Sequence, residues 1–160
     1  MIRITRQTDY GIVLLTHMAG RLERQYNAPE LAGEVHLPLP TVSKILKLLT
    51  REGILASHRG IKGGYTLARE AEEISMAEIV AALEGPVAIT ECIDETSGCT
   101  YEPICRVRSN WQRINTALQS ALAGISLAEM THPFDRLVTL GSRPATPMPQ
   151  PGPEMPPPQH

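Results

Sequence analysis

Residues 38–67 read PLPTVSKILKLLTREGILASHRGIKGGYTL, and this stretch determines the fold class. From about Pro40 the apolar residues recur at the three- and four-residue spacing of an amphipathic helix, and Gly53 marks its end. The predicted buried face consists of Val42, Ile45, Leu46 and Leu49. The predicted outer face is hydroxyl-bearing and basic, and consists of Thr41, Ser43, Lys44, Lys47 and Arg51.

Residues 54–59 and 65–67 follow as two short predicted β-strands. The residues between them, GIKGG, contain three glycines, which readily adopt the positive φ angles that a hairpin turn requires. Arg59 and Lys62 lie near the tip among small residues, where a cation can contact phosphate or enter a minor groove. The pattern predicts a DNA-binding wing. The alternative is a solvated charged hairpin without a function.

Two helices are predicted before this stretch. The first covers about residues 5–22, with Thr5 as its N-cap. Its apolar stripe consists of Ile12, Leu15, Ala19 and Leu22. The second begins at Asn27, an N-cap residue followed closely by Pro29, and residues 36–38 end it. Two helices, a short turn and a basic outer face are typical of a helix-turn-helix, with an ordinary three-helix core as the alternative.

A long helix is predicted to begin at Val107, between two shorter helices that start with capping boxes at Ser75 and Ser126. Its apolar seam consists of Val107, Trp111, Ile114, Leu118, Ala121 and Ile125. Alternating steps of four and three are typical of a coiled-coil contact, and DNA readers of this kind commonly pair to match two-fold sites. We therefore predict a dimerisation helix. The proline-rich residues 141–160 are predicted to be disordered.

Three cysteines, Cys92, Cys99 and Cys105, lie in a polar segment with the spacing C-x6-C-x5-C. Buried inert thiols normally lie on apolar periodic faces, which this segment lacks. Three thiolates can hold zinc, but zinc sites usually draw close C-x2-4-C pairs, and the wider spacing favours an iron-sulfur cluster. A fourth ligand is absent from this cysteine set. The candidates are Asp9, Glu91, Glu95, Glu102, His17, His58 or an exogenous molecule.

Charged residues are segregated along the 160-residue chain, although its net charge is only −2. Residues 1–69 hold ten Lys/Arg against five Asp/Glu, residues 70–105 hold nine Asp/Glu and no Lys or Arg, and residues 106–160 hold five basic and three acidic residues. The basic first part suits a polyanion such as double-stranded DNA, because phosphate neutralisation supplies sequence-independent affinity.

Other classes of protein are disfavoured by what the sequence lacks. It has no apolar run of about 18 residues that would span a bilayer and no secretion signal, so we expect a cytoplasmic protein without a membrane partner. In that reducing compartment the cysteines are expected to bind metal rather than pair as disulfides. No cysteine has a neighbouring histidine base and no phosphate-binding loop occurs, so we predict that the protein is not an enzyme.

The chain resembles the Rrf2 family of bacterial transcription regulators over about residues 1–135. The resemblance rests on ITRQTDYG at residues 4–11, TVSKILKLL at 41–49, SHRGIKGGY at 57–65 and the three-cysteine segment. Within the family, EGP at residues 84–86 and VRSNWQRI at 107–114 are most similar to the regulators of SUF iron-sulfur assembly operons.

The resemblance implies a set of functional residues. It identifies Cys92, Cys99 and Cys105 as ligands of a 2Fe-2S or 4Fe-4S cluster. The IscR-like branch carries a histidine three residues after the last cysteine, where this chain has Arg108. Asp9 lies where NsrR-like members supply a carboxylate, which can come from the partner subunit, so Asp9 is the expected fourth ligand. Thr41, Ser43, Lys44, Lys47, Arg59 and Lys62 are the expected DNA-binding residues.

Together these observations predict a mainly α-helical winged helix-turn-helix protein with a small β-hairpin and a long dimerisation helix. Residues 1–86 form the expected DNA-binding domain, 87–106 the cluster-binding loop and 107–135 the dimerisation helix with a short C-terminal helix. The predicted function is cluster-dependent repression of a SUF-type operon by a homodimer. A zinc-stabilised regulator, or one responding to thiol oxidation or nitric oxide, is the alternative within the same fold.

Overall fold

The computed structural model describes residues 4–21, 24–60, 63–90 and 105–132. The helices are α1 (Arg6–Ala19), α2 (Ala28–Glu34), α3 (Leu39–Arg51), α4 (Met76–Glu84), α5 (Arg108–Ala123) and α6 (Leu127–Met130). The strands are β1 (Leu55–His58) and β2 (Gly64–Leu67), and a 3-10 turn covers Ala71–Glu73. The predicted mainly helical fold with a small antiparallel hairpin is confirmed. None of the helices in these ranges is both long and apolar enough to cross a membrane.

Side-chain caps start the first two helices where the sequence predicted them. Thr5 Oγ1 accepts a hydrogen bond from the Thr8 amide at 3.3 Å, and Asn27 Oδ1 accepts one from the Glu30 amide at 2.8 Å. Each cap satisfies an amide that has no partner within its helix. His36 adopts a φ of 55° in the turn before α3. This left-handed residue reverses the chain between the two helices of the helix-turn-helix.

The buried face of α1 differs from the predicted stripe. Its fully or almost fully buried apolar side chains are Leu14, Leu15 and Met18, whereas Ile12 and Ala19 are only partly buried and Leu22 lies outside the described residues. α1 contacts α3, α4, α6 and β2. Because several neighbours surround it, its burial is wider than the single stripe that a surface helix would show.

Gly11 brings α1 and α4 into close contact. A Cβ atom at this position would lie 2.4 Å from Leu83 Cδ1 and 3.5 Å from Ile45 Cγ2. Any larger residue would force the leucine side chain to move in a well-packed interior. The absent side chain therefore sets the spacing between the first helix and the helix that leads toward the cysteine segment.

The β-hairpin is joined to the helical part by a third backbone segment. Tyr26 exchanges two hydrogen bonds with Tyr65, with N–O distances of 3.1 Å and 2.8 Å. A Cβ atom on Gly64 would lie 2.8 Å from the Tyr26 carbonyl oxygen, so a side chain there would collide with the backbone. The sequence patterns did not predict this bridge. It attaches the base of the hairpin to the segment that leads into α2.

The chain returns to the core after α5. The Met76 amide donates to the Ile125 carbonyl at 2.9 Å, and the Leu127 amide donates to the Ile74 carbonyl at 2.8 Å. Leu127 is fully buried in the main apolar cluster. The predicted capping boxes at Ser75 and Ser126 are both present, with Glu78 and Glu129 as their respective partners. α6 is therefore part of the same core as α1 and α4.

Candidate DNA interface and cysteine site

The amphipathic character of α3 is confirmed. Val42, Ile45, Leu46 and Leu49 are fully buried. On the opposite side Lys44, Lys47 and Arg51 are exposed, and Thr41 and Ser43 are partly exposed. Arg51 forms an ion pair with Glu52 at 2.8 Å, which leaves the two lysines as the cations with no ion-pair partner among the described residues of this face. The face therefore offers positive charge and hydroxyl groups to a partner.

Arg59 directly follows β1 and is exposed, whereas Lys62 lies outside the described residues. The turn between the strands is tight: Gly60 has a φ of 119°, and the Gly63 amide donates to the Gly60 carbonyl at 2.9 Å. A Cβ atom on Gly63 would lie 2.4 Å from the His58 carbonyl oxygen. The glycines thus hold Arg59 at the turn end of the hairpin.

A polar cluster that the sequence patterns did not predict lies between α1 and α2. The Arg24 guanidinium donates to Glu30 and, at 2.9 Å, to Glu34, and it lies 4.8 Å from the Tyr26 ring centroid. His17 Nε2 is 2.6 Å from Glu34 Oε2. The hydrogen bond from His17 is the main cause that lowers the pKa of Glu34. Arg24 is thus neutralised within the protein.

Both histidines that were candidates for the fourth ligand have protein partners. His17 contacts Glu34, and His58 Nε2 is 3.0 Å from Thr66 Oγ1 across the hairpin. The acidic candidates Glu91, Glu95 and Glu102 lie outside the described residues. No group of three His, Cys, Asp or Glu side chains arranged to hold a metal occurs within the described ranges.

Cys105 is the cysteine that the structure describes; Cys92 and Cys99 lie outside the described residues. Cys105 is partly exposed just before α5, and its carbonyl accepts a hydrogen bond from the Arg108 amide at 3.4 Å. It is not a member of the buried apolar cluster. A partly exposed thiol outside the core fits a metal ligand better than an inert core cysteine.

Asp9 lies exposed in the first turn of α1. Its carboxylate has no hydrogen-bond or ion-pair partner among the described residues, so it is free to bind an external group. The start of this helix is held to the end of α4: the Thr5 amide donates to Glu84 Oε1 at 2.7 Å, and Gln7 Nε2 donates to the Leu83 carbonyl at 3.3 Å. The candidate ligand is thus carried on a firmly attached helix end.

The bond from the Thr5 amide is the largest cause that lowers the pKa of Glu84. A lowered folded pKa means that the stabilisation is complete above the usual glutamate pKa and is lost as the pH falls through the folded value. We expect Glu84→Gln to be less stable than wild type by on the order of 0.5 kcal/mol at pH 7, because the site is exposed and screened. Urea unfolding from pH 7 to 3.5 should show this difference shrinking; a difference that stayed constant would contradict the assignment.

α5 presents an apolar strip on its surface. Val107 and Ile114 are each 50% exposed and Trp111 is 38% exposed, while Leu118 is partly buried. These residues belong to the predicted apolar seam. Clustered exposure of large apolar side chains on one helix is unfavourable in water and is typical of an interaction surface.

Comparisons with known proteins agree with this geometry. The family model described as "Rrf2: Iron-dependent Transcriptional regulator" matches residues 4–133. The HTH-type transcriptional regulator NsrR of Shouchella clausii is 28% identical, over 67% of this chain and 73% of its own. The HTH-type transcriptional regulator IscR of Serratia proteamaculans is 25% identical, over 86% of this chain and 84% of its own.

Solved structures have the same fold. CymR, the global cysteine regulator of B. subtilis, superposes with a TM-score of 0.64 at 24% identity, covering 82% of this chain and 97% of its own. The oxidized form of Staphylococcus aureus CymR has a TM-score of 0.61 at 25% identity, covering 84% of this chain and 100% of its own. The helix-turn-helix, the hairpin and the match over residues 4–133 together show that this chain belongs to the Rrf2 family of transcriptional regulators, which are not enzymes.

Proposed function

We propose that this protein is an iron-sulfur-cluster-dependent, DNA-binding repressor of an iron-sulfur assembly operon of the SUF type. The observation that carries the proposal is the combination of a helix-turn-helix with a basic α3 face and a three-cysteine segment that ends in a partly exposed Cys105. The description of the matching family as iron-dependent supports the choice of cofactor. The similarity of residues 84–86 and 107–114 to SUF regulators supports the choice of operon.

In this proposal the protein acts in the cytoplasm on double-stranded DNA, and residues 1–86 form the DNA-binding domain. Thr41, Ser43, Lys44 and Lys47 of α3 enter the major groove, where the hydroxyls and ammonium groups can donate to base edges and phosphates. Arg59 and Lys62 contact the neighbouring minor groove or its phosphates. The exposure of Lys44, Lys47 and Arg59 supports these assignments.

Cys92, Cys99, Cys105 and Asp9 would hold the cluster. The partial exposure of Cys105 and the free carboxylate of Asp9 fit such a role, and a 2Fe-2S or 4Fe-4S cluster would supply a centre that responds to redox state and iron supply. A carboxylate binds iron less tightly than a thiolate and exchanges more readily. Asp9 would therefore be the ligand that makes the site responsive.

The proposed active form is a homodimer. Its two copies contact each other through α5, which lies within the proposed dimerisation region, residues 107–135. The exposed apolar strip of Val107, Trp111 and Ile114 offers a surface on which a second copy can pack. A dimer would present two α3 recognition helices related by a two-fold axis, which suits a palindromic operator. Two copies of the strip would also cover each other's apolar surface.

Ile114→Glu is expected to convert the dimer to a monomer, because two carboxylates would be buried in the contact without partners. Sedimentation equilibrium at micromolar concentration should show half the wild-type mass. Thr116→Ala is the matched control, since Thr116 is exposed on the opposite side of α5, and its hydroxyl bonds no described residue outside its own helix, where it donates to the Gln112 carbonyl. A dimer that persists in Ile114→Glu would contradict this assignment.

The decisive experiment is purification without oxygen followed by iron and sulfide analysis, visible absorption spectroscopy and DNA binding. The DNA probe is a duplex selected from a random library by the loaded protein. We expect a coloured protein that contains iron and sulfide and binds the selected duplex at least tenfold more tightly than the chelator-stripped form. Colourless protein, or equal affinity of the two forms, would refute the proposal.

A thiol-oxidation switch is the second candidate. It is supported by the likeness to an oxidized form of CymR and by the partial exposure of Cys105, which leaves the thiol open to oxidants. It predicts that metal-free protein changes its DNA affinity on treatment with hydrogen peroxide and recovers with a thiol reductant. Bound zinc without iron in the same preparation would instead favour a zinc-stabilised regulator.

A further inference from the structure

Asn115 is a buried polar residue on α5 that bonds the chain just before the cysteine segment. It is only 4% exposed. Its side-chain amide donates to the Val87 carbonyl at 2.9 Å, and its side-chain oxygen accepts from the Ile89 amide at 3.3 Å. Gln119, one turn further along α5, donates to the same Val87 carbonyl at 3.2 Å. Three side-chain bonds therefore attach residues 87–89 to this helix.

α5 holds both ends of the cysteine segment, which runs from Cys92 to Cys105. These bonds attach the residues before the segment, and the end of the segment leads directly into the helix. Ile89 lies three residues before Cys92 in the sequence, and Cys105 lies three residues before Arg108, where α5 begins. Because Asn115 bonds one carbonyl and one amide at the same time, it defines the direction of the backbone as well as its position. Loss of the asparagine would leave two backbone groups without these partners.

The same residues connect α5 to the DNA-binding part. Residues 85–90 directly follow α4, and the end of α4 bonds the start of α1 through Leu83 and Glu84. A displacement of residues 87–89 relative to α5 would therefore act on the helix end that carries Asp9. Asn115 therefore attaches the residues that follow the helix-turn-helix core to α5, the helix that carries the apolar strip.

We propose that Asn115 is a positioning residue that holds the entry of the cysteine segment on α5 and so couples occupancy of the cysteine site to DNA affinity. This inference rests on the proposed function. A merely structural asparagine would stabilise the loaded and stripped proteins equally. A positioning residue must instead change the ratio of their DNA affinities and the rate at which metal leaves.

The test compares four full-length proteins loaded without oxygen: wild type, Asn115→Leu, Gln119→Ala and the control Thr116→Ala. Asn115→Leu keeps the branched shape of the side chain and removes both bonds. Gln119→Ala removes one bond at an exposed position, so we expect it to fold. It allows the same three measurements if the leucine variant does not fold. The measurements are iron release to a chelator, affinity for the selected duplex before and after stripping, and amide exchange at residues 87–90.

Asn115→Leu is expected to accelerate amide exchange at residues 87–90 and to speed iron release about fivefold or more. It should also lower the loaded-to-stripped affinity ratio about fivefold or more, within the usual range of coupling between sites. Gln119→Ala should change all three in the same direction but less, and Thr116→Ala should match wild type.

Two outcomes separate this inference from the function on which it rests. If wild type holds iron and responds to stripping while both variants keep its affinity ratio and release rate, the role of Asn115 is overturned and the proposed function stands. If wild type holds no iron, or its affinity does not respond to stripping, the proposed function fails and the inference fails with it.

Discussion

Replacing Lys44 and Lys47 together by alanine is expected to weaken binding to duplex DNA roughly 10- to 100-fold at moderate salt. Both ammonium groups are exposed on the face of α3 that opposes the core, so their loss removes charge without opening a cavity. Each phosphate contact contributes about 0.9 to the slope of log affinity against log salt concentration. The proposed homodimer presents this face twice, so four ammonium groups are lost, and fluorescence anisotropy over a salt series should show a slope that is shallower by about 3.6.

The control for this experiment removes the same charge from another helix region. Arg106 is exposed just before α5 and Arg113 is exposed within it, and neither belongs to the proposed DNA face. The double variant Arg106→Ala/Arg113→Ala should keep the wild-type salt slope. Equal weakening by both double variants would mean that net charge, rather than the α3 face, determines binding, and it would contradict the assignment of the recognition helix.

Cys105→Ser is expected to lose most of the cluster, with iron and sulfide falling to roughly a tenth of the wild-type content or less. A serine hydroxyl is a much weaker ligand for iron than a thiolate, and clusters of this kind depend on their cysteine ligands. Because Cys105 is partly exposed and outside the core, the unfolding free energy of the metal-free protein should change by no more than about 0.5 kcal/mol. Anaerobic absorption spectra and chemical analysis measure the first effect, and urea titration measures the second.

Asp9→Ala provides the comparison for the cysteine variant. A carboxylate ligand is replaced more easily than a thiolate, so this variant should retain iron after anaerobic loading but release it faster to a chelator. A Cys105→Ser protein with wild-type iron and sulfide content would exclude the cysteine as a ligand. Identical release rates for wild type and Asp9→Ala would assign the fourth position to another group.

The parts of the fold that sequence patterns predicted are those that depend on neighbouring residues. The caps at Thr5, Asn27, Ser75 and Ser126 each join positions three residues apart, so the pattern and the bond coincide. The two faces of α3 were predicted for the same reason, since a helix with one packed side repeats its apolar residues every three or four positions. The outer face that we assign to DNA therefore follows from the spacing of residues along the chain.

The buried side of α1 was predicted less well because it depends on what surrounds the helix. Packing on α3, α4 and α6 buries Leu14 and Met18 in addition to the predicted Leu15. Gly11 has no feature in the sequence that distinguishes it from a helix-weakening glycine, yet it lies against Leu83. Only the position of α4 reveals why a small residue is needed there.

The amino-acid sequence by itself thus determined the helices, the hairpin, the basic face and the cysteine pattern of this protein. Each of these features depends on residues that lie a few positions apart in the chain. Tertiary structure alone decided that Tyr26 pairs with the hairpin at Tyr65 and that Asn115 bonds the chain at Val87 and Ile89. These bonds join residues 26 to 39 positions apart, and each has a backbone amide or carbonyl on at least one side, a group that nearly every residue type carries. The pattern of residue types along the chain does not identify such partners. The pairs are therefore determined only when the helices and strands pack together.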